Sequence, residues 1–125
     1  MKLLVKLIFL TLIMIFSFGT AWCNVTVTRD QYGIPSISAD TEEELFEEFG
    51  YITAVDRLWQ MEVNKRWGRG TLAEIFGPNL VPADMQARLM GYTEEEYQTM
   101  FDQVSPDGKK FNAAYLRGVN RRVDE

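Results

Sequence analysis

The 125-residue sequence contains no histidine, one cysteine (Cys23) and only four prolines. Without histidine, these residues hold no serine–histidine triad, no imidazole base and no zinc site built on imidazole. A single cysteine cannot form a disulfide within the chain, and beyond Cys23 no thiolate is available as nucleophile or metal ligand. Chemistry that depends on these side chains is excluded for the printed sequence.

Basic residues are also few. The sequence has 13 lysines and arginines and 18 acids, which gives a net charge of −5. Two of the lysines lie in residues 1–23, so 13 − 2 = 11 bases remain against the 18 acids in residues 24–125, a net charge of −7. A chain of this sign is a poor ligand for nucleic acid or for an anionic membrane surface. We therefore predict no nucleic-acid partner, and membrane contact only through the N-terminal segment.

Residues 1–23 have the layout of a secretory signal peptide. Lys2 and Lys6 form a basic start, an apolar run covers residues 7–16, and small residues follow at positions 19–21. The apolar run is shorter than the ~20 residues that a spanning helix needs. We predict that residues 1–23 are cleaved and that residues 24–125 are exported to the periplasm or the extracellular space.

Two alternatives to a cleaved signal remain at this point. The segment could stay attached as a membrane anchor, or Cys23 could carry a lipid. Trp22 disfavours lipidation, because it is bulky where a lipoprotein signal has a small residue. An intact Met1 in the exported protein would indicate the anchor.

The pattern after the signal predicts a strand pair followed by helices. "VTVTRD" alternates apolar and polar residues, "DQYGIP" supplies a turn, and "SISA" reads as a second short strand. Thr41 and Glu44 have the spacing of a capping box, and the helix they begin is predicted to reach about Trp67. Gly50 inside this helix suggests close packing there. Further helices are predicted in "TLAEIFG", "PADMQARLMGY", "TEEEYQTMFDQV" and from Pro106 onward.

Asp56 stands out because the helical wheel places it among apolar residues. With 100° per residue, it lies in the stripe that contains Phe49, Ile52, Trp59 and Val63. A carboxylate on such a face is expected to be partly desolvated and to need a cationic partner.

Arg57 points about 100° away from Asp56 on the wheel. The better candidate partners are therefore Arg29, Arg69 and Arg88 from other elements. A catalytic carboxylate with a shifted pKa is the functional alternative, but no second titratable group or nucleophile accompanies it. We interpret Asp56 as half of a structural ion pair, and we expect Asp56→Ala to prevent folding or maturation.

Other polar groups give no catalytic signal. The acids from Glu42 to Glu48 lack the pattern of a cation-binding loop and suit a solvated helix start. Ser36, Ser38 and Ser105 have no base to activate them. We therefore predict no catalytic, cofactor-binding or metal-binding residue in this sequence.

Residues 25–125 nevertheless resemble the beginning of the penicillin acylase (penicillin amidase) family. "VTVTRDQYGIPSISAD" is similar to the family's opening strand, Arg-Asp, Gly-Ile/Val-Pro and His-Ile-x-Ala. "LFEEFGYITAVDRLWQMEVNKRWGRGTLAEIFG" resembles its Gly-Tyr, Ala-Gln-Asp-Arg-Leu-Trp/Phe-Gln-Met-Glu and Ala-Glu-x-Phe-Gly run. "ADMQARLMGY" and "FNAAYLRGVNRRVDE" resemble an Asp…Arg-x-x-Gly segment and a Tyr-x-x-Gly-Val-Asn helix. Ser36 departs from the family's usual histidine and Val55 from its usual glutamine.

The resemblance implies an exported amide hydrolase with an N-terminal nucleophile and a layered αββα fold. Family precursors cut themselves into α and β chains. The new β-chain terminus, usually serine, attacks the amide with its own amino group as base. An asparagine and a backbone amide form the oxyanion hole, and calcium commonly lies between the chains. No residue here matches these catalytic or calcium-binding groups.

The chain is therefore expected to be the N-terminal part of an α chain. Its mainly helical fold with a short strand pair would be inactive alone, and its partners would be the rest of the α chain, the β chain and a small-molecule amide. A small exported or membrane-anchored helical binding protein is the alternative. An open reading frame with a later autocleavage junction would distinguish the two.

Overall fold

The computed structural model describes residues 24–125. The predicted signal peptide, residues 1–23, lies outside the described residues. The described part is mainly helical with one pair of strands, as predicted from the sequence. Its elements are β1 Thr26–Arg29, β2 Pro35–Ser38, α1 Glu42–Arg69, α2 Ala73–Phe76, a 3₁₀ turn at Pro78–Leu80, α3 Val81–Met90, α4 Glu94–Asp102 and α5 Pro106–Val123.

Strands β1 and β2 form an antiparallel hairpin, which confirms the predicted strand pair. Thr26 lies opposite Ser38, and Arg29 lies opposite Pro35. The cross-strand pair Val27 and Ile37 is half-buried, while the threonines of β1 are exposed. The alternation seen in "VTVT" therefore corresponds to one face turned towards protein and one turned towards water.

Helix α1 begins at the predicted capping box. Thr41 Oγ1 accepts a hydrogen bond from the Glu44 amide at 3.2 Å, and Glu44 Oε2 accepts one from the Thr41 amide at 3.1 Å. The helix ends at Gly70, whose φ of 62° and ψ of 51° place it in the left-handed region that favours glycine. It is therefore slightly longer than the predicted end at about Trp67. A second capping box, predicted at Thr93 and Glu96, begins α4.

A kink interrupts α1 at Arg57, where φ is −139° and ψ is 21°. The sequence does not predict this kink, because neither proline nor glycine occurs there. The residues before and after Arg57 consequently do not share one regular helical wheel.

Helices α1 and α5 pack with their backbones in contact. A Cβ on Gly50 would overlap the carbonyl oxygen of Tyr115, and a Cβ on Gly118 would overlap the carbonyl oxygen of Glu47. Ala54 and Ala114 are the buried hydrophobic residues of the described chain. The close packing predicted at Gly50 is confirmed, and it determines how the two longest helices cross.

Helices α3 and α4 leave their apolar residues largely open to solvent within the described chain. Met85, Leu89 and Tyr92 share one predicted face of α3 and its end, and they are 60%, 83% and 61% exposed. None of the helices between residues 24 and 125 combines the length and apolar character that crossing a membrane requires.

Candidate functional site

Arg29 and Asp56 form a two-pronged ion pair between the hairpin and helix α1. Arg29 Nη2 donates to Asp56 Oδ1 at 2.8 Å, and Arg29 Nη1 donates to Asp56 Oδ2 at 3.0 Å. Nη1 also donates to the carbonyl oxygen of Gly33 at 2.7 Å. One guanidinium therefore connects the end of β1, the hairpin turn and the middle of α1. The fork geometry suits arginine and cannot be reproduced by a lysine ammonium.

Asp30, the next residue, organises the hairpin turn. Its Oδ1 accepts hydrogen bonds from the amides of Tyr32 at 2.9 Å and Ile34 at 2.8 Å. Gly33 adopts a φ of 79°, which a side chain would strain. The "RDQYG" stretch thus contains an arginine that reaches α1 and an aspartate that shapes the turn beside it.

A groove of about 670 Å³ lies between this turn and α1. Arg57 lines it beside Asp56 and donates to Gln60 Oε1 at 3.1 Å. Trp59 packs edge to face with Phe76 at a ring-centroid distance of 6.2 Å. The apolar residues lining the groove are Tyr32, Ile34, Pro35, Phe49, Ile52 and Trp59. The Asp56 carboxylate at this groove is paired with the Arg29 guanidinium, so the charge at the groove is engaged in holding the hairpin against α1.

Asp56 is partly covered, as the apolar stripe predicts, but it is not buried in the described chain. The Asp56 side chain is 36% exposed and that of Arg29 is 37% exposed. Two features keep Asp56 accessible: the backbone of α1 departs from a regular helix at Arg57, and few residues of the described chain cover this side of α1. Ala54, two residues earlier, is the buried position instead.

Of the three candidate partners of Asp56, Arg29 is the one that contacts it. Arg88 Nε instead donates to the carbonyl oxygen of Gly70 at 2.9 Å. Arg69 lies exposed in the last turn of α1. The structure therefore brings together one predicted pair and separates the other two arginines from it.

The acids at the start of α1 form ion pairs with α5. Glu43 binds Lys110 at 3.1 Å and Arg117 at 2.8 Å. Hydrogen bonds from Lys110 and then from Arg117 lower the pKa of Glu43. Two further pairs are Glu47–Arg117 at 3.0 Å and Glu48–Arg121 at 2.7 Å. We call this set, Glu43, Glu47, Glu48, Lys110, Arg117 and Arg121, the ionic flank.

These pairs leave Glu43, Glu47 and Glu48 engaged with cations of α5. Among residues 24–125 no group of three or more acidic or thiol side chains is arranged to hold a metal ion. The acid run is therefore explained by helix packing.

Asp84, the aspartate of the "ADMQARLMGY" segment, has a capping role that the sequence does not predict. Its side chain is buried, and its two carboxylate oxygens accept hydrogen bonds from the amides of Leu72 at 2.9 Å and Ala73 at 2.8 Å. These donors are the unpaired amides at the start of α2, so a side chain from α3 caps another helix. Pro82, two residues before Asp84, indicates the start of a helix. The sequence does not indicate the hydrogen-bond partners of Asp84, because they are backbone amides 11 and 12 residues away.

A model of the family described as "Penicillin amidase" matches residues 24–125, which is the whole described part of the chain. The chain belongs to the penicillin amidase family. The resemblance inferred from the sequence motifs is thereby confirmed. Ser36, where the family usually has histidine, is an exposed residue of β2 opposite Thr28, outside the Arg29–Asp56 pair.

Relatives within the penicillin amidase family include two curated acylases. The chain is 36% identical over 96 residues to penicillin acylase 2 proenzyme of Pseudomonas sp. (strain SE83), covering 77% of this chain and 12% of that protein. It is 32% identical over 97 residues to the acyl-homoserine lactone acylase QuiP of Pseudomonas fluorescens (strain Pf0-1), covering 78% of this chain and 12% of that protein. The chain thus spans about an eighth of the length of these relatives.

A solved structure shows the same fold. The thermostable penicillin G acylase from Alcaligenes faecalis superposes with a TM-score of 0.72 at 34% sequence identity, covering 82% of this chain and 54% of that chain. The penicillin acylases are N-terminal nucleophile hydrolases, so the strand pair and helices described here form part of that α+β fold.

Proposed function

We propose that this chain is the N-terminal part of the α chain of an exported penicillin acylase-like enzyme that hydrolyses an acyl-amide bond. The observation that carries the proposal is the family match across residues 24–125, together with the fold shared with a penicillin G acylase. In this proposal residues 1–23 direct export and are removed, and the nucleophile and oxyanion groups come from later in the polypeptide.

Residues 24–125 would supply scaffold to such an enzyme. Asp56 is bound by Arg29, Asp84 by two amides, and the acids of the ionic flank by lysine and arginine of α5. These groups hold the elements in place, which supports the proposal that the segment is inactive alone. The calcium ion that the family resemblance implies would need ligands outside these residues.

The names of the relatives indicate the type of bond that the complete enzyme would hydrolyse. One is named a penicillin acylase and another an acyl-homoserine lactone acylase. Both names describe removal of an acyl group from an amine, so we propose that the complete enzyme releases a carboxylic acid and an amine from an acyl amide. Penicillin G and an acyl-homoserine lactone are the two substrates to test first.

The test is to express the complete reading frame that contains this sequence and to incubate the purified protein with each substrate. Chromatography is expected to detect the free acid and the free amine in equal amounts. The matched control is the chain of residues 24–125, which we expect to release neither product. A folded complete protein that hydrolyses neither substrate would contradict the proposal, as would hydrolysis by residues 24–125 alone.

Export is tested separately by mass spectrometry of the protein recovered outside the cytoplasm. We expect its N-terminus at Trp22 or Asn24, the positions that follow Ala21 and Cys23. A protein that retains Met1 would indicate that residues 1–23 are a membrane anchor and not a cleaved signal. A lipid on Cys23 would indicate a lipoprotein signal.

A further inference from the structure

The described chain buries few of its large apolar side chains. Ala54 and Ala114 are its buried hydrophobic residues, and no large side chain between residues 24 and 125 is fully buried. Twenty large hydrophobic side chains in the same range are exposed. Exposed apolar surface on this scale marks an interaction site in a soluble protein.

The two sides of the α1–α5 pair differ in chemistry. One side is the ionic flank, in which glutamates of α1 pair with lysine and arginine of α5, and Arg121 stacks on the ring of Tyr51 at 4.0 Å. The opposite side is aromatic. Phe46 stacks on Phe111 at 4.7 Å, and Phe49 lies against Tyr115 at 5.5 Å.

The aromatic side continues into the groove beside the hairpin. Phe49 lines both this groove and a shallow depression of about 560 Å³ beside α5. Leu116 borders the depression and is 50% exposed, and Trp59 borders the groove and is 65% exposed. We call this continuous surface, Tyr32, Ile34, Phe46, Phe49, Trp59, Phe111, Tyr115 and Leu116, the aromatic face.

We propose that the aromatic face docks on the part of the same polypeptide that follows Glu125, while the ionic flank stays in water. This inference rests on the proposed function. The occupant is indicated by length, because the chain spans 12% of its curated relatives and 54% of the structurally similar acylase chain. Much of the polypeptide that such an enzyme needs therefore lies outside these residues.

The distribution of charged side chains favours docking through the aromatic face over docking through the ionic flank. Asp56 and Arg57 are the charged residues that line the hairpin groove, and the carboxylate of Asp56 is already paired with Arg29. Docking there removes apolar surface from water, and the Arg29–Asp56 pair enters the interface already formed. Covering the ionic flank would instead desolvate at least six charged side chains, which is costly even when they are paired.

The test measures thiol accessibility in the complete folded polypeptide. Single substitutions Leu116→Cys and Trp59→Cys place a thiol on the aromatic face. Ala113→Cys, an exposed position of the same helix α5 that lines neither the groove nor the depression, is the matched control. A charged maleimide is added under native conditions, and labelled peptides are quantified by mass spectrometry. We expect labelling of the two face positions to be about tenfold slower than that of the control, as for thiols reached only through local opening.

A second measurement tests the same burial without any cysteine substitution. Hydroxyl-radical footprinting of the unsubstituted complete polypeptide is expected to leave Trp59 and Tyr115 protected relative to the same residues in urea. Equal labelling of Leu116→Cys and Ala113→Cys, or full oxidation of Trp59 in the folded protein, would overturn docking on this face. Protection that vanishes on dilution to monomer would assign the face to a second copy and would also overturn the proposal.

Both readouts are independent of catalysis. A folded polypeptide that protects the face but hydrolyses no amide would contradict the proposed function and support the docking. An active enzyme with a rapidly labelled Leu116→Cys would support the function and overturn the docking. A reading frame that stops at residue 125 would remove the occupant, and the docking proposal with it.

Discussion

Arg29 and Asp56 lie 27 positions apart in the sequence, and the guanidinium of the first donates to both carboxylate oxygens of the second, at 2.8 and 3.0 Å. The same guanidinium binds the Gly33 carbonyl at 2.7 Å. We expect Arg29→Lys to destabilise the complete polypeptide by about 1 kcal/mol, because an ammonium cannot reproduce three directed bonds. Arg57→Lys is the matched control, since Arg57 contacts Gln60 instead. Equal denaturation midpoints for the two variants would contradict a special role for Arg29.

Removal of the carboxylate tests whether this pair becomes covered. In residues 24–125 both side chains keep more than a third of their exposure. If the aromatic face docks as proposed, Asp56→Ala would leave the Arg29 guanidinium buried and unpaired in the complete enzyme. The expected loss is then about 3–5 kcal/mol, enough to prevent folding or maturation. Maturation is measured as chain cleavage on a gel, and a normally processed, normally stable Asp56→Ala enzyme would contradict the prediction.

The glycines at the crossing of α1 and α5 are expected to tolerate no side chain. Gly118→Ala places a methyl group against the carbonyl oxygen of Glu47, so the helices must separate. We predict a loss of about 1–3 kcal/mol or more in urea denaturation. Gly68→Ala is the control, because nothing lies within 4 Å of its Cβ position, and helix propensity favours alanine there by ~1 kcal/mol. A stabilised Gly118→Ala variant would contradict the close approach.

Asp84 is expected to hold the start of α2. Asp84→Ala removes both acceptors of the Leu72 and Ala73 amides and should cost about 1–3 kcal/mol, since buried donors lose their partners. Hydrogen exchange resolved to single residues is the direct measurement, and these two amides are expected to exchange faster. Asp107→Ala, at an exposed aspartate in the first turn of α5, serves as the control. Unchanged protection of Leu72 and Ala73 in Asp84→Ala would show that the carboxylate is dispensable.

The ionic flank predicts a loss of stability in acid. The pKa of Glu43 in the folded protein is lowered, chiefly by hydrogen bonds from Lys110 and Arg117, from the value of about 4.3 that we assign to the unfolded chain. Its stabilising effect is therefore present above about pH 4.3 and is lost as the pH falls through the folded pKa. The urea midpoints of the parent and Glu43→Gln are expected to differ at about pH 6, well above the usual glutamate pKa, and to converge as the pH falls through the lowered pKa of Glu43. A difference that stays constant as the pH falls would contradict the assignment.

Local signals in the sequence predicted the elements well. The capping boxes at Thr41 and Thr93 lie where the sequence places them, because each involves residues only three positions apart. Gly70 ends α1 close to the predicted boundary. The alternation in "VTVT" predicted a strand whose partner is the next extended segment along the chain.

Features that depend on distant or backbone partners could not be predicted. The wheel places Asp56 in an apolar stripe, but it could not predict the kink at Arg57, which occurs without proline or glycine. The capping role of Asp84 could not be predicted because its partners are main-chain amides, which every residue except proline carries. The choice of Arg29 over Arg69 and Arg88 depends on how the hairpin lies against α1, and no local pattern encodes that.

The close approach of the α1 and α5 main chains at Gly50 and Gly118 has a consequence for how the two helices are held. A Cβ at either glycine would overlap an opposing carbonyl oxygen, so the crossing is set by contact between backbones and not by side chains. The glycine crossing therefore acts as a fixed spacer, with charged side chains on one side of it and aromatic side chains on the other.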